Sequence, residues 1–161
     1  ARGEMDNTLI VFSSDHGEML GEHNRWSKNI WRNGSVRVPM IVAGPGVREN
    51  TVSDALVSLH DLCPTFLEVA GAEPLPGMEA KTMCPVLSGD ADEHRSDLYS
   101  ALIDSNRKGW HCLFDGRHKF ILENDQRILF DLAEDPCEDV NIIGQKPALE
   151  AELYDRLRAQ I

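Results

Sequence analysis

Two short apolar runs open the pattern of the chain. Thr8, Leu9, Ile10, Val11 and Phe12 form one, and Val38, Pro39, Met40, Ile41, Val42 and Ala43 form the other. Neither alternates with polar residues, which is the pattern of strands covered on both faces in a parallel sheet; Pro39 is acceptable at a strand's start or edge. The first run ends in Ser13, Ser14, Asp15, His16 and Gly17, and the second stops at Gly44, Pro45 and Gly46. Between them lie about 20 residues dense in His, Trp, Arg, Lys and Asn without helical period, which predicts a long loop of the kind that carries function.

Further on, Leu59, Leu62, Cys63, Phe66, Leu67 and Ala70 recur at three- and four-residue steps, with Pro64 near the start and Gly71 at the end, predicting a helix over 58–71. Past Pro74, Pro76 and Gly77 and an acidic stretch around Asp92, the texture changes to short strands at 98–103, 110–114, 118–122 and 128–131. Asp115-Gly116 and Glu123-Asn124-Asp125 read as hairpin turns. Pro147 suits a first helical position, and Leu149, Leu153, Leu157 and Ile161 mark one face of a terminal helix. The fold class expected is therefore α/β: a partial parallel sheet in residues 1–92, then a small antiparallel sheet with a C-terminal helix in 93–161. Two parallel strands and one helix do not complete a doubly wound domain, so the remaining strands are expected from a longer parent chain.

Composition narrows the picture. With 161 residues and 42% hydrophobic residues, the chain can bury one ordinary core. No apolar run reaches transmembrane length and the start lacks the apolar region of a signal peptide, so no membrane partner is expected and nothing addresses a compartment. The absence of an initiating Met agrees with a piece of something longer. A formal net charge of −11, with scattered basic residues, disfavours nucleic acid. The cysteines Cys63, Cys84, Cys112 and Cys137 have neither zinc-site spacing nor the density of a disulfide scaffold, so free structural thiols are expected. Missing strand partners would leave apolar surface exposed, and self-association of the chain alone is expected from that.

The chemistry concentrates after the first strand. Asp15 and His16 follow its C-terminal end, where ligands bind in open α/β sheets; the plain alternative is that Asp15 caps a helix and His16 packs. Glu22, His23, Arg25 and Lys28 follow on the loop, an imidazole and cations suited to stabilising a bound oxyanion, although a charged loop is often only a solvated one. Trp26 and Trp31 flank Lys28 and could line a substrate pocket, whereas Trp110 reads as core. Arg37 reads as a buried ion pair holding the loop to the sheet. His60, His94, His111 and His118 read as packing or surface residues.

These residues resemble a family. Residues 7–23 read N-T-L-I-V-F-S-S-D-H-G-E-M-L-G-E-H; Lys28, Arg37-Val38-Pro39 and Gly44-Pro45-Gly46 follow. Then come Asp61-Leu62-Cys63-Pro64-Thr65-Phe66-Leu67, Lys119-Phe120-Ile121, Leu129-Phe130-Asp131-Leu132, and Asp135-Pro136 with Glu138 and Asn141. In order and spacing they resemble the C-terminal portion of a formylglycine-dependent sulfatase of the alkaline phosphatase superfamily. The resemblance implies an alkaline-phosphatase-like sheet for the first segment, and a sulfate ester as substrate. It also implies a divalent metal, calcium or alternatively manganese, held by Asp15 and His16. Lys28 would contact the sulfate, with His23 as a further catalytic contact and Trp26 touching substrate. A phosphonate or phosphate ester hydrolase of the same superfamily, or a non-catalytic assembly module, would share much of this pattern. Two departures matter. No position fits the nucleophile motif C/S-x-P/A-x-R, so the formylglycine is expected in a missing N-terminal part and the chain alone is expected to be inactive. Arg32-Asn33-Gly34 stands where relatives often carry Y-E-E.

Overall fold

The computed structural model describes residues 3–106 and 108–161. They divide into two compact units, one of Ala1–Asp15 with Pro39–Ser96 and one of His16–Val38 with Asp97–Ile161. The long loop after the first strand thus belongs with the C-terminal sheet.

In the first unit, β1 (Ile10–Ser13) pairs with β2 (Met40–Ala43), Ile10 opposite Ala43 and Ser13 opposite Met40. The pairing is antiparallel, which corrects the expectation of parallel strands; an unbroken apolar run signals burial but carries no information on strand direction. Nor are both faces covered within the unit, since exposure alternates and Phe12 and Ile41 are about 60% exposed (60% and 62%). The predicted helix forms in two pieces, a 3-10 turn at Leu59–Asp61 running into α2 (Leu62–Val69). Ser58 and Asp61 make a reciprocal capping box at its start, and Gly71, at φ +67°, takes the left-handed conformation that ends it. A short helix that the sequence did not suggest, α3 (Cys84–Ser88), follows the buried Met83.

Asp61 organises this unit. Its carboxylate is fully buried and accepts hydrogen bonds from the Ser58 N–H (2.9 Å), the Lys81 N–H (3.0 Å), Arg95 through both oxygens and His94 Nε2 (3.1 Å). His94, read from the sequence as a packing or surface residue, is thus one of its partners.

The second unit holds a four-stranded antiparallel sheet in sequential order: β3 (Leu98–Ile103), β4 (Gly109–Phe114), β5 (His118–Glu123) and β6 (Gln126–Asp131). Strand periodicity sends alternate residues to opposite faces. Trp110, Cys112, Ile121 and Phe130 pack on one face with Trp31 from the loop. Leu113, Phe120 and Leu129 pack on the other with Leu153 and Leu157 of α4 (Pro147–Arg158). Burying each leucine is worth about 1.5–3 kcal/mol. Ile161 lies beyond the end of α4 and is 56% exposed, so it does not extend that face as the four-residue spacing predicted. Asn124 and Asp125 both take positive φ between the paired Glu123 and Gln126, forming the two-residue hairpin that the sequence predicts.

Asp61 carries a pH prediction. Burial pushes its pKa up, but the Arg95 guanidinium and the N–H groups of Lys81 and Ser58 outweigh it and hold the carboxyl well below the usual carboxylate range. Its contribution to stability is therefore complete above the unfolded value near 4 and is lost as pH falls below it. Urea midpoints of wild type and Asp61→Asn should differ equally at pH 7 and pH 5, and the gap should narrow progressively as pH falls below about 4; a gap independent of pH would contradict this.

Candidate active site

The loop 16–38 is fastened to the sheet at its far end. Lys119 sits on the same face of β5 as Ile121, and its ammonium donates to Glu138 Oε1 (2.6 Å) and Asn33 Oδ1 (2.9 Å). The other oxygen of Glu138 accepts from the Asn33 N–H (2.9 Å), at the first residue of α1 (Asn33–Val36). Arg32 stacks on Trp31, with its guanidinium 4.8 Å from the ring centroid, and donates to the Glu138 carbonyl (2.8 Å). Arg37, expected in a buried ion pair, is instead exposed; the buried ion pair at this anchor is Lys119–Glu138, and the arginine that holds the loop is Arg32, through a backbone carbonyl and a ring.

From this anchor the loop folds back on itself. The Gly17 N–H donates to the Ser35 carbonyl (2.8 Å), and a Cβ on Gly17 would lie 2.0 Å from the Gly34 carbonyl oxygen, so only glycine allows the approach. Met19, fully buried, donates from its N–H to the Ser27 carbonyl (3.0 Å), and Gly21 to the Arg25 carbonyl (2.9 Å). Leu20, His23, Asn24, Ser27 and Asn29 all have positive φ, a density of constrained backbone typical of functional loops.

Lys28 reaches back to His16. His16 Nδ1–H donates to the Gly17 carbonyl (2.8 Å), which leaves Nε2 as the acceptor, and the Lys28 ammonium donates to it. The tautomer is the one that metal ligation would use, with the Nε2 lone pair taken here by the Lys28 ammonium. Asp15 ends the first unit and His16 begins the second, adjacent in sequence. Among the described residues no three His, Cys, Asp or Glu side chains converge as a metal-binding group. His23, Trp26 and Lys28 are brought together around a cleft of about 480 Å³, together with Asn24, Arg25, Trp31, Arg32 and Glu123. His23 Nε2 lies 2.9 Å from both the Cys137 carbonyl and Arg32 Nη1, and Nδ1 lies 3.7 Å from Asp139. Trp26 is 74% exposed, whereas Trp31 is core, its Nε1–H donating to Glu123 Oε2 (3.0 Å). Trp110 is core as expected. All four cysteines are free, and burial pushes the Cys112 thiol up to about 12, far from a reactive thiolate.

The sulfatase family model matches residues 1–72. Arylsulfatase K of Xenopus laevis is 31% identical over 98% of the chain, and the choline-sulfatase of Rhizobium meliloti 34% over 82%. The chain belongs to the sulfatase family. It spans about a third of these relatives, 32% of the first and 28% of the second. A solved structure in complex with its substrate D-glucosamine-2-N,6-O-disulfate superposes with a TM-score of 0.90 at 29% identity, over 98% of this chain and 35% of that one. The phosphonate monoester hydrolase of Agrobacterium radiobacter superposes at 0.84 and 28%, over 98% and 36%. Sulfatase membership explains the order of the motifs, but several of the motif residues hold the loop rather than line the cleft. Lys119 and Glu138 are the clearest case, and their pairing, across 19 positions, has no local signal in the sequence.

Because Gly17 has no room for a side chain, Gly17→Ala in this sulfatase segment should cost about 1–3 kcal/mol through forced backbone movement. An unchanged denaturation midpoint would show that the Gly17–Gly34 approach is not a constraint.

Proposed function

We propose that the chain forms part of a sulfuric ester hydrolase, contributing Asp15 and His16 to a divalent metal site and Lys28 to the sulfate. The observation that supports this reading is the Lys28–His16 contact, which holds a cation against an oriented imidazole at the residue that follows Asp15 in sequence, in a chain of net charge −11; a metal bound at Nε2 would displace Lys28 from that nitrogen and leave its ammonium for the sulfate. The donor set fits a metal in its chemistry: a carboxylate for a hard cation such as calcium, and an imidazole nitrogen that manganese would also accept. Such a metal would polarise an oxygen of the sulfate group. Lys28 would bind and neutralise the anionic group, His23 would face the leaving group, and the exposed indole of Trp26 would offer an apolar surface to it. The formylglycine nucleophile that the resemblance implies is not encoded in these 161 residues, so it would come from elsewhere in a longer polypeptide, and the chain alone would be inactive. A phosphorus ester is the second reading, favoured by the likeness to a phosphonate monoester hydrolase.

The test compares 4-nitrophenyl sulfate with 4-nitrophenyl phenylphosphonate, using the full-length polypeptide with calcium or manganese. Sulfate should be preferred, and Lys28→Ala should lower kcat/KM roughly a hundred- to a thousandfold, the scale of removing an oxyanion-stabilising group. A large preference for the phosphonate, or an unaffected Lys28→Ala variant, would overturn the assignment.

A further inference from the structure

Residues 33 and 34 are Asn-Gly, and no other asparagine in these 161 residues precedes a glycine. The dipeptide is chemically labile, because a glycine nitrogen with no Cβ beside it can close on the asparagine side-chain carbonyl unhindered. In that reaction the Gly34 N–Cγ bond forms and the Cγ–Nδ2 bond breaks, and the Gly34 amide proton leaves with ammonia. Water then opens the imide ring at either carbonyl, leaving an aspartyl or an isoaspartyl residue in place of Asn33.

The fold holds Asn33 against this chemistry at three points. Its N–H donates to Glu138 Oε2 (2.9 Å), its side-chain Oδ1 accepts from the Lys119 ammonium (2.9 Å), and its carbonyl accepts from the Arg37 N–H (2.9 Å) at the end of α1. Fixed in this turn, the Gly34 nitrogen is kept off Cγ, so ring closure waits until α1 leaves its anchor. Return is then obstructed. An isoaspartyl residue puts an extra methylene into the backbone at the point where the Gly34 carbonyl lies against Gly17 with no room for a side chain, and where the Gly17 N–H bonds to the Ser35 carbonyl (2.8 Å). We propose that Asn33 is a site of spontaneous deamidation gated by the opening of α1 from the Lys119–Glu138 pair, and that the isoaspartyl product makes this opening of the loop irreversible. Because the loop carries His16 and Lys28, the modified chain loses their arrangement together.

The experiment incubates the full-length polypeptide in mildly alkaline buffer, native and in unfolding urea, and follows the peptide containing Asn33 by chromatography and mass spectrometry. The native rate divided by the unfolded rate should equal, within roughly threefold, the opened fraction that hydrogen exchange reports at the Arg37 amide. Equal rates in the native and unfolded states, an Arg37 amide as protected as the strand amides of β4 and β5, or no product while the Arg37 amide exchanges would each overturn the gating. After ageing, the isoaspartyl fraction should have lost exchange protection at Gly17, Met19 and Gly21. Freshly prepared Asn33→Asp, which places the new charge beside the Lys119 ammonium on an unaltered backbone, should keep it. Retained protection in the aged fraction, or an equal loss in Asn33→Asp, would overturn the irreversible step.

Discussion

Lys119 and Glu138 are each only 2% exposed, and neither charge could remain there without the other. Removing one partner of such a pair typically costs about 3–5 kcal/mol, because the survivor is left charged and dry. What the pair provides in return is position. Lys119 is a β-strand residue pointing at the face on which the loop lies, and Glu138 uses its second oxygen to hold the first turn of α1 through the Asn33 N–H. Arg32, one residue earlier, closes the arrangement by bonding the Glu138 carbonyl and stacking on Trp31. The loop that carries His16, His23, Trp26 and Lys28 is thereby registered on a rigid sheet rather than left to its own polar sequence.

That dependence explains why the backbone between Leu20 and Asn29 can hold so many left-handed residues. Each costs of order 1–3 kcal/mol outside glycine, and such conformations persist only where the surroundings over-determine them. Here the surroundings are the Lys119–Glu138–Asn33 network at one end and the Gly17–Gly34 contact at the other. Between these two fixed points the chain has little freedom, so Lys28 meets His16 and the cations of the cleft stay gathered in spite of the acidic composition.

Legibility in the sequence followed the range of the interaction. The hairpin over Asn124 and Asp125, the Leu149, Leu153 and Leu157 steps of α4 and the left-handed Gly71 after α2 are local, and the residue pattern alone places them. The direction of β1 against β2 was not legible, because an apolar run is the same read from either neighbour. The anchoring arginine was misplaced to Arg37 because loop charge alone does not reveal which guanidinium has an aromatic ring beneath it. Lys119 and Glu138 stood out only as motif letters; that they form a buried pair, and so make the candidate site possible, is a non-local fact that periodicity cannot carry.

The account's central claim is that the buried pair positions the loop. Amide hydrogen exchange in wild type and Glu138→Gln tests it most directly, read at Gly17, Met19 and Gly21, whose N–H groups are bonded within the loop, and at the central amides of β4 and β5. Exchange in the variant should accelerate at the three loop amides while the strand amides keep their protection. Unchanged protection at Gly17, Met19 and Gly21 would mean that the loop holds its shape without the pair, and would contradict the account.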